Sequence, residues 1–102
     1  MKLMRDKDGD IIATNGYYNF TMYLSSNLED QENTWYCYAW PVEKDITGIR
    51  VFVFSSYNHF VAANNTQKYS GDKKPKYNAA ISPEVGIIMS GHRGYDEELW
   101  VT

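Results

Sequence analysis

The chain has 102 residues, of which 43% are hydrophobic and 23% charged, as is typical of one globular domain and not of a disordered tail or a fibrous repeat. The formal net charge of −3 and the pI of about 5.2 leave no basic excess for broad binding to DNA or RNA. Apolar runs are far shorter than the ~20 residues that cross a bilayer, and the charged N-terminus predicts no signal peptide.

The apolar residues are unusually aromatic for a chain of this size. Aromatic residues make up 16% of the sequence, with nine Tyr, three Trp and four Phe, whereas only four residues are Leu. Aromatic and β-branched side chains are typical of strands, so this composition favours a β protein. Asn, Tyr, Lys and Ile are abundant, which is typical of an AT-rich genome and points to a bacterium or a phage as the source.

The first third of the chain predicts two tight reversals and a strand. An Asp-Gly pair at Asp8-Gly9 separates the short runs 2–5 and 10–14 and is a strong hairpin signal. Asn15-Gly16 follows and favours a second turn, because both residue types tolerate positive φ. Residues 17–25 then alternate in polarity as a strand does. The predicted core face of that strand consists of Tyr18, Phe20, Met22 and Leu24.

Two further strands are predicted after an acidic, exposed loop at 26–33. Residues 34–40 place apolar side chains on both faces, and Pro41 ends this strand because it cannot donate to a ladder. Residues 49–55 carry β-branched and aromatic side chains on both faces, which predicts a central strand buried on both sides. For residues 57–64, a short helix and a strand are both compatible with the sequence.

The last third of the chain has little apolar rhythm. Residues 64–78 form a long polar run with three closely spaced lysines, which predicts a mobile or functional loop that buries little apolar area. Beyond this run, the sequence predicts a strand at 85–90, a turn at 91–94 and a closing strand at 98–102.

The order of these elements predicts the fold class. We count six or seven strands and find no alternation of strands with helices at βαβ spacing. The sequence therefore predicts a single, mainly β domain with an antiparallel sheet, arranged as a sandwich or an open curled barrel. At most one short helix is expected, near 57–64.

The most suggestive metal-binding pattern lies in the first predicted hairpin. Asp6, Asp8 and Asp10 stand at positions 1, 3 and 5 of a calcium loop. The pattern fails where Ile11 replaces the Gly of the sharp turn and Tyr17 replaces the bidentate Glu. We therefore expect a solvated turn here, and no metal or other cofactor in the protein.

Catalytic chemistry has weak support in the sequence. His59 and His92 are the only histidines, and neither shows the spacing of a metal ligand or of a Ser-His-Asp site. Arg93 lies in a Gly-flanked turn that could bind an anion through its backbone amides. Cys37 stands alone inside a predicted strand, so we expect a buried, unreactive thiol.

A set of tyrosines is the main candidate binding surface. Alternation places Tyr17 and Tyr23 opposite the predicted core face, and Tyr36 and Tyr38 join them if the two strands pair in matching register. Tyr is enriched at recognition surfaces because it offers area and a hydroxyl with little rotamer entropy to lose. The alternative is that a second sheet or a subunit covers this face. The basic part of the predicted binding set is Lys73, Lys74, Lys76 and Arg93.

These features favour a non-enzymatic protein-binding module that acts through an aromatic sheet face. The short, acidic profile is typical of phage accessory proteins, such as an inhibitor of a host protein or a small virion component. We expect a protein partner or self-association as a homodimer, no membrane binding, and a location in the bacterial cytoplasm or the virion. Two alternatives remain open: a carbohydrate-binding or adhesin-like β-sandwich, and a small-ligand binder or small enzyme using His59, His92 or Arg93.

Overall fold

The computed structural model describes residues 1–24, 35–56 and 59–102, and over these ranges the protein is mainly β and contains no helix. Six strands form one antiparallel sheet in which each strand pairs with the next along the chain. They are β1 (Lys2–Arg5), β2 (Ile11–Thr14), β3 (Tyr18–Leu24), β4 (Trp35–Pro41), β5 (Val51–Ser55) and β6 (Phe60–Ala63). Two short strands, β7 (His92–Arg93) and β8 (Leu99–Trp100), pair separately. The predicted antiparallel β fold is confirmed, and the sheet is not a closed barrel. At its β6 edge, Ala62 forms an isolated antiparallel bridge with Val101.

Both predicted reversals at the start of the sheet are confirmed. Between β1 and β2 the Asp6 N–H donates to the Asp10 carbonyl at 2.9 Å, and Gly9 adopts a φ of 84° that favours glycine. Between β2 and β3 the Asn15 side-chain oxygen accepts from the backbone N–H groups of Tyr17 and Tyr18, each at 2.9 Å. These local bonds fix the register of the first three strands.

The later part of the chain differs from its predicted pattern. Of the two structures compatible with 57–64, the strand is found, as β6, while residues 57 and 58 and the predicted loop at 26–33 lie outside the described residues. The predicted strand at 85–90 is wrong, because Ile88 forms only an isolated bridge to Ile81. The turn predicted at 91–94 is wrong as well. His92 and Arg93 form β7, and the chain reverses after them, where the Gly94 N–H donates to the Glu98 carbonyl at 3.0 Å.

The core lies between the sheet and the C-terminal part of the chain, residues 64–102. One face of the sheet, here called the inner face, contributes buried side chains from β2, β4, β5 and β6, and the C-terminal segment contributes buried side chains that cover them. The core consists of Ile12, Tyr36, Tyr38, Trp40, Val51, Val53, Val61, Ala63, Tyr69, Ala79, Ala80, Ile88 and Trp100.

Residues 64–78 pack against the inner face, so the prediction that this run buries little is wrong. Pro75 is fully buried, and Asn65 is buried with its side-chain amide donating to the Ile49 and Tyr69 carbonyls at 2.9 Å each. The Trp40 indole N–H donates to the Gly71 carbonyl at 2.9 Å. This covering layer has almost no regular secondary structure: its turns are closed by backbone bonds such as that from the Ser70 N–H to the Lys73 carbonyl, and the Gly71, Pro75 and Tyr77 carbonyls accept from side chains of the sheet.

Candidate functional site

The tyrosines predicted to face outward mostly face the core. Tyr36 is 8% exposed and Tyr38 is completely buried, both on the inner face. The Tyr38 hydroxyl donates to the Tyr77 carbonyl at 2.9 Å and accepts from the Ala80 N–H at 3.0 Å. Burial raises the pKa of Tyr38 far above its ordinary value. The outward orientation predicted for Tyr36 and Tyr38 is therefore wrong.

Tyr23 and Tyr17 do not form an outward tyrosine surface either. Tyr23 is half-buried on the inner face, where its hydroxyl donates to the Pro75 carbonyl at 2.7 Å and burial raises its pKa to about 12. Tyr17 is 65% exposed, but it precedes β3. The structure thus separates Tyr17 from the other three predicted residues, and the predicted four-tyrosine binding surface is not present.

The apolar residues of β3 that were predicted to form the core lie on the other side of the sheet, here called the outer face. Asn19 and Thr21 occupy buried positions on the inner face, whereas Met22 and Leu24 are exposed. Cross-strand pairing assigns the other members, because residues directly opposite in a ladder point to the same side. The outer face is formed by Leu3, Arg5, Ile11, Ala13, Tyr18, Phe20, Met22, Leu24, Trp35, Cys37, Ala39, Phe52, Phe54, Phe60 and Ala62.

A continuous row of aromatic rings runs across the outer face over the neighbouring strands β3 to β6. Ring centroids lie 5.8 Å apart for Tyr18 and Phe52, 6.0 Å for Phe52 and Phe60, and 6.3 Å for Phe60 and Phe54. The Trp35 ring extends the row, 5.6 Å from that of Phe54. These tilted contacts are favourable aromatic geometries. The prediction that β5 is buried on both sides is wrong, because Phe54 is exposed here.

Beside the aromatic row, the outer face contains a shallow open depression of about 610 Å³. Phe20, Met22 and Cys37 line its floor, and Arg5 and Asp10 stand at its edge. Cys37 is half-buried, and burial raises the pKa of its thiol, which keeps it protonated at neutral pH. The thiol thus opens onto the outer face and is not enclosed in the core as the sequence predicted.

Charged side chains are nearly absent from the sheet. Among the described residues, the six strands contain only Lys2 and Arg5, both on the edge strand β1, and contain no Asp or Glu. Arg50, which precedes β5, holds its guanidinium 5.9 Å from the centre of the Phe52 ring. The outer face is therefore a wide apolar surface with charged residues, Arg5, Arg50 and Asp10, only at its margin.

The three carboxylates of the calcium-like pattern converge on an ammonium group from the C-terminal segment. Asp6, Asp8 and Asp10 lie close together, and Lys74 forms ion pairs with all three, at 3.2 Å to Asp8 and 2.6 Å to Asp10. Burial lowers the Lys74 pKa, but the hydrogen bonds to these carboxylates outweigh it and raise the pKa well above its ordinary value. The Lys74 hydrogen bond holds the pKa of Asp6 low. The cluster thus fastens the covering segment to the first hairpin.

The remaining basic residues of the predicted binding set are placed separately. Lys73 donates to the Gln67 carbonyl and lies 6.0 Å from the centre of the Tyr69 ring, and Lys76 is exposed. Arg93 is exposed on β7 and donates to the Glu97 carbonyl at 2.8 Å. Since Lys74 is engaged by carboxylates, the predicted basic cluster loses much of its net charge.

The two histidines occupy unrelated positions. His59 directly precedes β6 and its backbone carbonyl accepts from the Ser55 N–H at 2.9 Å. His92 on β7 has its Nδ1 3.4 Å from the Ser82 hydroxyl. Serine and histidine are the residue types of a nucleophile and its general base. Ser82 is only 1% exposed, and it lines an open depression of about 430 Å³ together with His92 and Arg93.

A buried polar network in the C-terminal segment was not identified from the sequence. Asp96 accepts from the Tyr69 hydroxyl at 2.7 Å, from the Trp100 indole at 3.2 Å and from the Glu98 N–H at 3.0 Å. Burial nevertheless raises its pKa. Glu98 is buried and accepts from the Thr66 hydroxyl at 2.5 Å. The network joins 64–78 to the β7–β8 hairpin, contacts that sequence spacing alone does not reveal.

Within the described ranges, no helix is long and apolar enough to span a membrane. The phage origin and the location in cytoplasm or virion stay predictions from composition. Comparison of the chain with protein family models, with curated proteins and with solved structures gives no match.

Proposed function

We propose that this chain is a non-enzymatic protein-binding module that acts through the aromatic outer face of its sheet. The observation that carries the proposal is the exposure of that face. Met22, Leu24 and Phe60 are each 55–59% exposed although they stand on paired strands of the sheet. Apolar surface of this extent on a folded chain marks an interaction site.

The chemistry of the outer face favours a protein surface over a sugar or a nucleic acid. A sugar site combines aromatic rings with polar groups that hydrogen-bond hydroxyls, and on the described strands the outer face offers mainly carbon atoms, with Tyr18 and Arg5 as its polar members. A nucleic-acid site requires a basic surface, and Arg5 and Arg50 stand only at the margin. A wide apolar centre with a sparse polar rim is the arrangement found in protein interfaces.

Site-specific crosslinking tests this proposal directly. Benzoylphenylalanine placed at Phe60 on the outer face should give discrete protein adducts on irradiation in the expressing cells, because that side chain lies in the contact. The same group placed at Tyr95, an equally exposed aromatic residue on the C-terminal segment, is the matched control. Adducts from Phe60 should disappear when Met22→Lys is added in the same chain.

The crosslinked protein must also bind the purified chain at a fixed stoichiometry. Absence of adducts from Phe60, or equal adducts from Phe60 and Tyr95, would contradict a binding role for the outer face.

A further inference from the structure

From the area, the charge and the shape of the outer face, we infer that its occupant is a second copy of this chain, packed face to face as a homodimer. This inference rests on the proposed function and specifies the partner. It assigns the interface to the outer face as defined above and leaves the covered inner face as the core of each copy.

The exposed area matches what a stable dimer needs. The six most exposed apolar side chains of the outer face are 39–69% exposed. Free side chains of this size expose on the order of 200 Å², so together they present roughly 700 Å². The half-buried members of the face add to this value. A standard protein interface buries about 800 Å² on each partner, so the exposed area of one outer face is close to what one partner contributes.

Charge also favours a second copy. The chain carries a net charge of −3, so a contact that used its acidic residues would bring like charges together. The described sheet strands contain no Asp or Glu, and their two charged residues, Lys2 and Arg5, lie on the edge strand β1. Stacking two outer faces therefore brings no acidic residues of the strands together, and Asp10, at the edge of the depression, is already paired with Lys74. A strongly charged partner would find little complementary charge on this face.

The shape of the protein is that of half a β-sandwich. The inner face is covered by the irregular C-terminal segment, and no second sheet of comparable size is present among the described residues. Two sheets pack well when their twists match, at about 10 Å separation and within about 30° of each other. A second copy presents a sheet of identical twist, and a two-fold axis lets the same patch serve on both copies.

Sedimentation velocity over a range from low micromolar to several hundred micromolar protein tests the inference. The mass should rise from that of one chain to that of two. Met22→Lys should raise the dissociation constant by at least about a hundredfold, because it places a charge in the apolar centre of the interface. Ile46→Lys is the matched control, since Ile46 is 74% exposed in the turn after β4 and lies off the sheet.

Thiol labelling of Cys37 gives an independent readout. Cys37 pairs directly with Met22 and Phe54 on the outer face, so labelling should slow as the wild-type concentration rises. In Met22→Lys it should be independent of concentration, and circular dichroism with thermal unfolding verifies that this variant is folded.

A wild-type chain that stays monomeric, with labelling independent of concentration, would overturn the homodimer. So would a dimer that Met22→Lys leaves intact. If the homodimer is overturned in this way, crosslinks from Phe60 to a different protein would still support the proposed function. The absence of any such crosslink would contradict the homodimer and the proposed function together.

Discussion

Replacing Tyr38 by Phe measures how strongly the inner face holds the C-terminal segment. The substitution removes one hydroxyl, which donates to the Tyr77 carbonyl and accepts from the Ala80 N–H in a site with no solvent access. Two hydrogen bonds are lost at about 1 kcal/mol each, and the buried Ala80 N–H left without a partner adds about 1 kcal/mol more. We therefore expect Tyr38→Phe to lower the free energy of unfolding by about 2–4 kcal/mol.

Two other tyrosines provide a graded series for this experiment. Tyr23→Phe removes a single bond, to the Pro75 carbonyl, from a half-buried site and should lower stability by about 1 kcal/mol. Tyr17→Phe changes an exposed residue and should stay within about 0.5 kcal/mol of wild type.

The assay for the series is urea unfolding followed by tryptophan fluorescence, with the m-value compared between variants at one protein concentration. Tyr38→Phe within 0.5 kcal/mol of wild type, or a loss from Tyr17→Phe as large as that from Tyr38→Phe, would refute the assignment of the inner face as the core.

Two further predictions concern the attachment and packing of the C-terminal segment, and a third concerns Cys37 on the outer face. Lys74→Met should lower the free energy of unfolding by about 1–3 kcal/mol, whereas Lys76→Met at an exposed site should change it by less than about 0.5 kcal/mol, as measured by urea unfolding. Because the pKa of Asp6 is low and that of Lys74 is high, the difference in free energy of unfolding between wild type and Lys74→Met should be largest between about pH 5 and 10. It should shrink as pH falls through the folded Asp6 pKa or rises through that of Lys74. Gly94→Ala should lower stability by about 3 kcal/mol or more, because its Cβ would collide with the Ala79 carbonyl, while Gly9→Ala should lose only the 1–2 kcal/mol expected for left-handed backbone, as measured by thermal unfolding. Under monomeric conditions Cys37 should react with a thiol reagent more slowly than free cysteine but without denaturant, because the thiol is half-buried and protonated.

Each of these three has a contrary outcome. Equal losses from Lys74→Met and Lys76→Met would mean that the carboxylate cluster adds no stability. A Gly94→Ala chain as stable as wild type would contradict the close approach of β7–β8 to Ala79. Labelling of Cys37 only after unfolding would place the thiol inside a closed core instead of on the outer face.

The strand pattern of the sheet follows from local sequence signals. Asp-Gly and Asn-Gly dipeptides fix the first two reversals, and runs of aromatic and β-branched residues mark β3 to β5. Because these signals act between neighbours along the chain, and every sheet strand pairs with the next one, they were sufficient for the antiparallel order.

The side of β3 that faces the core could not be predicted from polarity alone. The rule that a sheet buries its more apolar face applies where the covering layer satisfies the hydrogen bonds of its own backbone, as a sheet or a helix does. Here the covering layer is irregular, and some of its carbonyl groups accept hydrogen bonds from side chains of the sheet. Asn19 donates to the Gly71 carbonyl at 3.4 Å and Tyr23 to that of Pro75 at 2.7 Å. The more polar face is therefore buried, and the apolar face of Met22 remains outside.

The covering segment itself gave no periodic signal because the contacts that attach it to the sheet reach residues distant in sequence. Lys74 is 68 residues from Asp6, and Tyr69 is 27 residues from Asp96. Each described side-chain polar atom that is buried has a hydrogen-bond partner, which shows how completely such distant contacts satisfy the core. The sequence does contain a signal for the outer face, because residues 34–40 and 49–55 carry apolar side chains on both faces of their strands. This pattern indicates two covered faces, and among the described residues the C-terminal segment covers the inner one.

The central claim, that the outer face is open in one chain and closes against another, is tested most directly by methionine methyl NMR with a soluble paramagnetic agent. Met22 reports on the outer face, Met4 on the opposite side of the edge strand, and Met1 on an exposed position before β1. In dilute protein the paramagnetic agent should strongly increase the relaxation rate of all three methyl signals. As the protein concentration rises, this relaxation enhancement should fall at Met22 and stay unchanged at Met1 and Met4. A Met22 signal that is equally enhanced at every concentration, or protected even in dilute protein, would contradict the account.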